Sequence, residues 1–466
     1  MQISILSGIF TDKAAQIRTA YPRNLIPVPK KSGISDGYLR HTDGIVEVCE
    51  ADGTDRGGIN WNGVMYRVLG NDLARIAQDG TITIIGDVGS GGQCTLDYSF
   101  DYLAVSSGGR FYLYNGSTLQ QVTDADLGTV IDFIWIDGYF MTTDGEYLVV
   151  TELNDPFSVN PLKYGSSEIN PDPILAVQKV RNEVAAVNRY TIEFFQNVGG
   201  DNFPFQRIEG ATINKGSIGT YTNIVINDLV CFMGSALNEA ISFYIGLNGQ
   251  ITKIATSEIE QILATYSETE LADAIMEHKI YNGHIHIMTH LGNETLVYDV
   301  SGSEFMGQPI WWTTDSGITN KAKYRAINHI WCYNRWNVAD PTTTKLGYLT
   351  DTISSHWGDM IAWEFSTQML YNEGAGAIIN SLELIATTGR IEFGKNPLIS
   401  TSYSLDGITW SQEKYIRAGK AGEFQKRLAW FLQGSMKKFR IQKFKGDSDA
   451  MISIARLEAK LEPCYV

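Results

Sequence analysis

Residues 56–88, RGGINWNGVMYRVLGNDLARIAQDGTITIIGDV, contain four short apolar-rich runs separated by tight turns. Gly57 to Trp61 meets Asn62-Gly63, Val64 to Leu69 meets the loop at 70–72, and Leu73 to Ala77 meets Asp79-Gly80 before Thr81 to Ile85. Asn-Gly and Asp-Gly suit two-residue hairpins because those turns place residues at positive φ, which Gly, Asn and Asp tolerate. The unit recurs over 93–123, 129–153, 174–210, 219–257 and 275–314, and an incomplete copy covers 325–351. Most of the eleven Asp-Gly or Asn-Gly pairs fall between the runs, which assigns them to hairpin turns rather than to helix ends. A repeat of roughly 35–45 residues with four strands each is the signature of β-propeller blades.

Six full units and one partial unit predict an all-β fold with a β-propeller of six to seven four-stranded blades. GIVEVCE (44–50) precedes the first unit and is the natural strand to complete the partial one, since a ring closed from its N-terminal side leaves no free edge. Two stacked β-sandwiches are the competing architecture. The sequence divides into an N-terminal arm (1–42), a propeller (43–353) and a C-terminal β-sandwich (354–466), where the runs become longer. Pro22, Pro27 and Pro29, beside Arg23, Lys30 and Lys31, make the arm extended and edge-like. The arm is expected to complete the C-terminal sandwich. Only 257–278 reads as helical, with two S-x-x-E capping boxes, Ser257/Glu260 and Ser267/Glu270.

The net charge of −15 argues against a surface coated with nucleic acid. Five scattered cysteines without a C-x-x-C spacing read as reduced core thiols of a protein folded in a reducing cytosol. The apolar N-terminus lacks a basic region ahead of it and reads as a strand rather than a signal peptide. No apolar run reaches membrane-spanning length, so no membrane segment is expected.

Four patterns invite a chemical reading. His284, His286 and His290 in HIHIMTH share one strand face, where imidazoles can hold a divalent metal. No carboxylate stands at a helpful spacing, and a polar strand face is the favoured reading, with no metal and no cofactor. Gly33-Ile34-Ser35-Asp36-Gly37 has nucleophile-elbow spacing but no strand-to-helix context, and reads as a chance match. SLDGITW (404–410) resembles a sialidase Asp-box one residue short, and reads as a hairpin in which Thr409 and Trp410 begin the next strand. The span 414–445 holds ten basic residues and one acid, Glu423, in an otherwise acidic chain. Lys426, Arg427, Lys437, Lys438, Arg440, Lys443 and Lys445 are its candidate partner-binding residues, suited to an acidic protein face or to phosphates, and a solvated sandwich face is the competing reading. No base-reading motif accompanies them. No catalytic residues emerge, and the chain reads as a non-enzyme.

The Pro-rich arm, the blades beginning RGGINWNGVMYRVLG, the insert SEIEQIL…YSETELADA and the segment SYSLDGITWSQEKYIRAGKAGEFQKRLAWFLQG together resemble the packaged-DNA stabilisation proteins of short-tailed bacteriophages, also called tail accessory, tail-hub or nozzle proteins. The resemblance covers nearly the whole chain. It implies a structural virion protein of the tail, assembled in the host cytoplasm. It further implies a homo-hexameric ring beneath the portal and adaptor that extends the DNA channel, helps retain packaged double-stranded DNA without sequence-specific binding, and docks a tail needle and tailspikes. A carbohydrate-binding or carbohydrate-cleaving propeller of a phage tail, and a host interaction module, are the alternatives.

Overall fold

A computed structural model of the protein describes residues 2–3, 21–30, 35–200, 202–372, 376–446 and 451–464. Lys31, Gly33 and Ile34 of the arm lie outside these residues.

Seven antiparallel blades form the propeller. Blade 1 runs Asp55–Trp61, Val64–Leu69, Asp72–Ile76 and Ile82–Asp87, with Asn62 and Gly63 at φ 52 and 79 in its first turn. Blades 2 to 6 occupy Thr95–Gln121, Asp132–Ser166, Ile174–Arg207, Gly216–Lys253 and Ile275–Thr314. Blade 7 takes Ile327–Cys332, Arg335–Ala339 and Lys345–Thr350 from the end of the repeat, and Gly44–Glu50 from its start. The register sets Thr350 opposite Gly44 and Lys345 opposite Glu50, so the expected closing strand completes the ring. The blade count is seven.

Period-two alternation gives each blade an apolar face on both sides, and the blades pack face to face. Phe111 of blade 2 meets Phe133 and Phe140 of blade 3 at centroid separations of 4.9 and 5.6 Å. All three rings are at most 2% exposed, a degree of burial worth about 2–3 kcal/mol per ring in transfer free energy. The innermost strands touch in chain order around the ring, and blade 7 returns to blade 1. Side chains staple several of these junctions. Asp97 Oδ2 accepts from Trp135 N at 2.6 Å. Asp132 accepts from Thr95 Oγ1 at 2.7 Å on one side and from Val177 N at 2.9 Å on the other, which ties blades 2, 3 and 4. Asp55 Oδ2 accepts from Asn328 Nδ2 of blade 7 at 2.6 Å.

The C-terminal sandwich holds two sheets. One is ordered Leu25–Pro29, Gly37–His41, Ser453–Cys464, Gly376–Thr387, Leu428–Phe431, with Gln2–Ile3 also paired to Ser453–Cys464. The other is ordered Trp363–Ser366, Phe439–Gly446, Leu398–Ser404, Lys414–Arg417. The arm therefore supplies edge strands to the sandwich, and Leu25, Leu39 and Ile3 join its core beside Phe365, Phe444 and Trp430.

Between these strands and the propeller, Pro22, Arg23 and Asn24 bridge the two domains. Arg23 exchanges both backbone bonds with Glu364 of the sandwich (2.8 and 3.0 Å). On the other side, Thr313 N of blade 6 donates to Pro22 O and Asn24 N donates to Thr313 O. The Arg23 guanidinium reaches back to Asp315 in a bidentate pair, Nε to Oδ2 at 2.5 Å and Nη2 to Oδ1 at 2.7 Å. Asn24, at φ 54, donates to Ala362 O and accepts from Asp315 N.

Some local expectations are corrected. Blade 3 does not stop at 153; its fourth strand is Asp155–Ser166, disguised by Pro156 and Pro161 and by exposed polar residues. The partial seventh unit also contains Arg335–Ala339. The helical insert comprises α1 (Ser257–Leu263) and α2 (Glu268–Ala272), and blade 6 begins at Ile275. The Ser267/Glu270 capping box forms, whereas Ser257 is already inside α1 and its N-cap, Thr256, makes no side-chain cap bond to the helix, its hydroxyl pairing with Tyr21 Oη instead. A third helix, α3 (Val300–Met306), was not expected; Asp299 caps it by accepting from Gly302 N, and Gly307 ends it at φ 68.

Removing one member of a buried, paired charge leaves the other uncompensated, at a cost of about 3–5 kcal/mol. Arg23→Ala is expected to split calorimetric unfolding into two transitions, with the sandwich melting apart from the propeller; a single unshifted transition would show that the bridge does not couple them.

Burial pushes the Asp132 carboxyl up from 3.8 to about 6. A folded-state value above the unfolded one gives stability that is complete below pH 3.8 and is lost as pH rises through about 6. Relative to Asp132→Asn, the wild type should lose on the order of 3 kcal/mol between pH 4 and 7.5. Urea unfolding of both proteins across that window measures the difference, and parallel pH profiles would refute the assignment.

Candidate partner-binding face and histidine clusters

The basic span does not form one surface. Lys426, Arg427, Lys437 and Lys438 are exposed, while Lys443 and Lys445 are half-buried. Arg427 forks onto Glu383 at 2.6 and 2.7 Å. Arg440 is corrected from surface to core: it is 0% exposed. Its Nη1 donates to Gln433 O at 2.6 Å, Nε donates to Gln442 Oε1 at 3.0 Å, and the guanidinium lies 3.8 Å over the Tyr403 ring. Burial lowers it to about 10 despite Tyr403. Alternation along Phe439–Gly446 turns Arg440, Gln442 and Phe444 into the sandwich, and sequence spacing alone does not tell which face is inside.

Apolar residues share the exposed part. Phe431 and Leu432 are 62% and 82% exposed beside Lys414, whose Nζ donates to Leu432 O. Phe393 and Phe424 are 98% and 65% exposed on the same domain. Exposed aromatic residues are enriched in protein-contact surfaces. Sequence reasoning saw the charges and missed these apolar residues.

Two clefts flank the Arg23 bridge where propeller, arm and sandwich meet. One, of about 480 Å³, is lined by Tyr21, Arg23 and residues of α1, and on the sandwich side by Trp410 and Lys443. Lys443 Nζ stands 4.2 Å over the Trp410 ring. SLDGITW forms the expected turn: Asp406 accepts from Ile408 N, Thr409 N and Thr409 Oγ1, and these bonds pull its carboxyl below the usual range. Trp410 does not begin a strand; the next one starts at Lys414.

The other cleft, of about 330 Å³, contains His284 and His286. The three histidines of HIHIMTH separate into two clusters, each with a carboxylate from a neighbouring strand. His290 Nε2 and His329 Nδ1 both meet Glu277 Oε1, at 2.5 and 2.7 Å, and His329 N donates to Oε2. Burial alone would raise the Glu277 carboxyl, but the His329 and His290 imidazoles hold it well below the usual range. This cluster links blades 6 and 7. His284 Nδ1 instead lies 2.8 Å from Asp299 Oδ2, and the register places Asp299 directly opposite His286. The apparent lack of a carboxylate was a limit of linear spacing, because strand pairing delivers both. The five cysteines are unpaired, Cys94, Cys231 and Cys332 being buried.

Changing Lys437 and Lys438 together to Glu should leave the melting temperature within the small range typical of surface changes, about 0.5 kcal/mol. Arg440→Glu should unfold the sandwich, seen as loss of near-ultraviolet dichroism. Equal effects from both variants would contradict this division of the basic span.

A family model described as bacteriophage P22 Gp10, beta-propeller, matches residues 1–354, and one described as bacteriophage P22 Gp10, beta-sandwich, matches residues 362–462. The tail hub protein gp10 of Salmonella phage P22 is 26% identical over 484 residues, covering 99% of each chain. Among solved structures, the WD40 domain of Neurospora crassa Pan2 matches 66% of this chain and 95% of its own at 8% identity and a TM-score of 0.43. BamB from Moraxella catarrhalis matches 75% and 97% at 12% identity and a TM-score of 0.39. The full-length match joins a propeller and a sandwich in the order found here: the chain belongs to the bacteriophage P22 Gp10 family, and is a structural, non-enzymatic tail hub protein of a phage.

Proposed function

We propose that the chain is the ring-forming hub of a short-tailed phage tail, six copies of which close beneath the portal and adaptor and extend the channel for packaged DNA. The observation that carries this reading is the match to a tail hub protein across both domains and the linker between them. In this reading the arm (1–42), propeller (43–353) and sandwich (354–466) have separate tasks. The propeller is a stiff wedge, because its junctions are packed with aromatic rings and its inner strands are stapled by buried carboxylates. Stiff subunits close a cyclic ring through heterologous contacts without losing the closure angle to internal bending.

The exposed sandwich residues Lys426, Arg427, Lys437 and Lys438, with half-buried Lys443 and Lys445 and the apolar Phe431 and Leu432, supply a face for a neighbouring virion protein. Aromatic anchors within a charged rim suit protein–protein docking, and the same lysines attract an acidic partner at long range. The acidic chain as a whole does not cling to DNA, consistent with a genome that slides past during ejection and is retained by the closed tail rather than by sequence contacts. Assembly in the host cytoplasm, a tail needle below and tailspikes at the side complete the reading.

Electron microscopy of the purified protein mixed with portal–adaptor complexes should show a sixfold ring added below the adaptor. Lys437→Glu with Lys438→Glu should weaken that addition by at least tenfold in the protein concentration required, and Phe431→Ser with Leu432→Ser should do the same. Failure of the wild type to add to the complexes would overturn the hub reading; normal addition by both variants would remove this face from it.

A further inference from the structure

His284, His286 and Asp299 bring three potential metal-ligand atoms to within 4.8 Å of one another. The arrangement follows from the strands. His284 and His286 are two apart on His284–His290, so their side chains leave the same face. Asp299 ends the adjacent strand in register with His286. Its carboxylate is fixed by two duties: Oδ1 accepts from Gly302 N as the cap of α3, which aims Oδ2 at His284.

His286 gives the independent signal. It is 2% exposed, packed edge-on against Trp312 at 4.8 Å, and its Nδ1 is buried without a hydrogen-bond partner. A buried ring nitrogen left unpaired loses the hydrogen bond it had with water, a cost natural structures avoid unless the atom has another use. His284, by contrast, is about a quarter exposed and opens onto the 330 Å³ cleft, which gives an ion a path from solvent. The cations nearest the cluster are already committed: Lys279 Nζ and Arg40 Nη2 both bind Asp43, at 2.8 and 2.6 Å.

We propose that His284, His286 and Asp299 form a binding site for a first-row divalent transition-metal ion of zinc's class. Two imidazoles and one carboxylate match the ligand preference of such ions and are a poor match for magnesium or calcium, which favour all-oxygen sets. Binding replaces the His284–Asp299 hydrogen bond by coordinate bonds to both residues, with the His284 proton held on the ring nitrogen that does not ligate. Three protein ligands leave a coordination position toward the cleft, where arm, blade 6 and sandwich converge. The second cluster also leaves a buried ring nitrogen unpaired, His329 Nε2, but Glu277 already joins its two imidazoles and none of its three residues lines either cleft, which makes it the weaker candidate.

The test uses the full chain, stripped with chelator and titrated with zinc chloride by calorimetry and with cobalt chloride by visible absorption. The expected result is saturable binding of one equivalent at micromolar concentration or tighter, a cobalt d–d band of low-coordinate type, and a raised melting temperature with zinc. His284→Ala, at a half-open position that tolerates truncation, should weaken binding by about 100-fold while the apo protein keeps its fold, a loss at or above that typical of outer-shell changes. His286→Ala should do likewise, and Glu277→Gln should leave binding unchanged. No saturable binding by the wild type, or full binding by His284→Ala, would overturn the proposal, as would loss of binding in a folded Glu277→Gln protein.

Discussion

The relation between the two domains depends on a short stretch of backbone at Pro22–Asn24. Its peptide groups complete a ladder with blade 6 on one side and with the first strand of the sandwich on the other. A propeller and a sandwich joined only by the 351–362 connection would be free to hinge. Inserting a third strand between them turns the junction into nearly continuous sheet, and a hinge would then have to break hydrogen bonds that no water replaces. The Arg23–Asp315 pair holds this insertion in register, since it is buried and its two parallel bonds admit one geometry.

The same logic operates inside the ring. Propeller blades meet through apolar faces, which resist separation but not sliding. Directional bonds from Asp55, Asp97, Asp132 and Glu277 fix the slide, because each carboxylate reaches backbone or side-chain donors on an adjacent blade. These acids account for part of the chain's negative charge without displaying it. The basic residues divide in a parallel way: Arg23 and Arg440 are structural, and Lys426, Lys437 and Lys438 of the sandwich remain outside.

Much of the architecture was legible in the sequence because it is periodic. Asn-Gly and Asp-Gly turns mark hairpins through a local preference for positive φ, and that signal survives whatever the tertiary context. Gly44–Glu50 could be assigned to the last blade because a ring must be closed. What stayed hidden was local detail overridden by tertiary contacts. Asp155–Ser166 is a strand despite two prolines, as an outer edge needs few donors. Arg440 entered the core because Tyr403 and Gln433 receive it there, which no spacing rule announces. The histidine clusters were half visible: HIHIMTH gives the face, but Asp299 and Glu277 arrive from other strands, and only register identifies them.

Closing the ring with Gly44–Glu50 has a consequence for how the protein is made. The strand leaves the ribosome early, yet its partner Lys345–Thr350 follows about 300 residues later, a separation that makes loop closure slow and late. Until then the first strand of the ring must wait unpaired, and a chain terminated before Lys345–Thr350 is left with an open seventh blade. Closure of the disc therefore precedes completion of the sandwich, whose strand Ser453–Cys464 follows about 100 residues later.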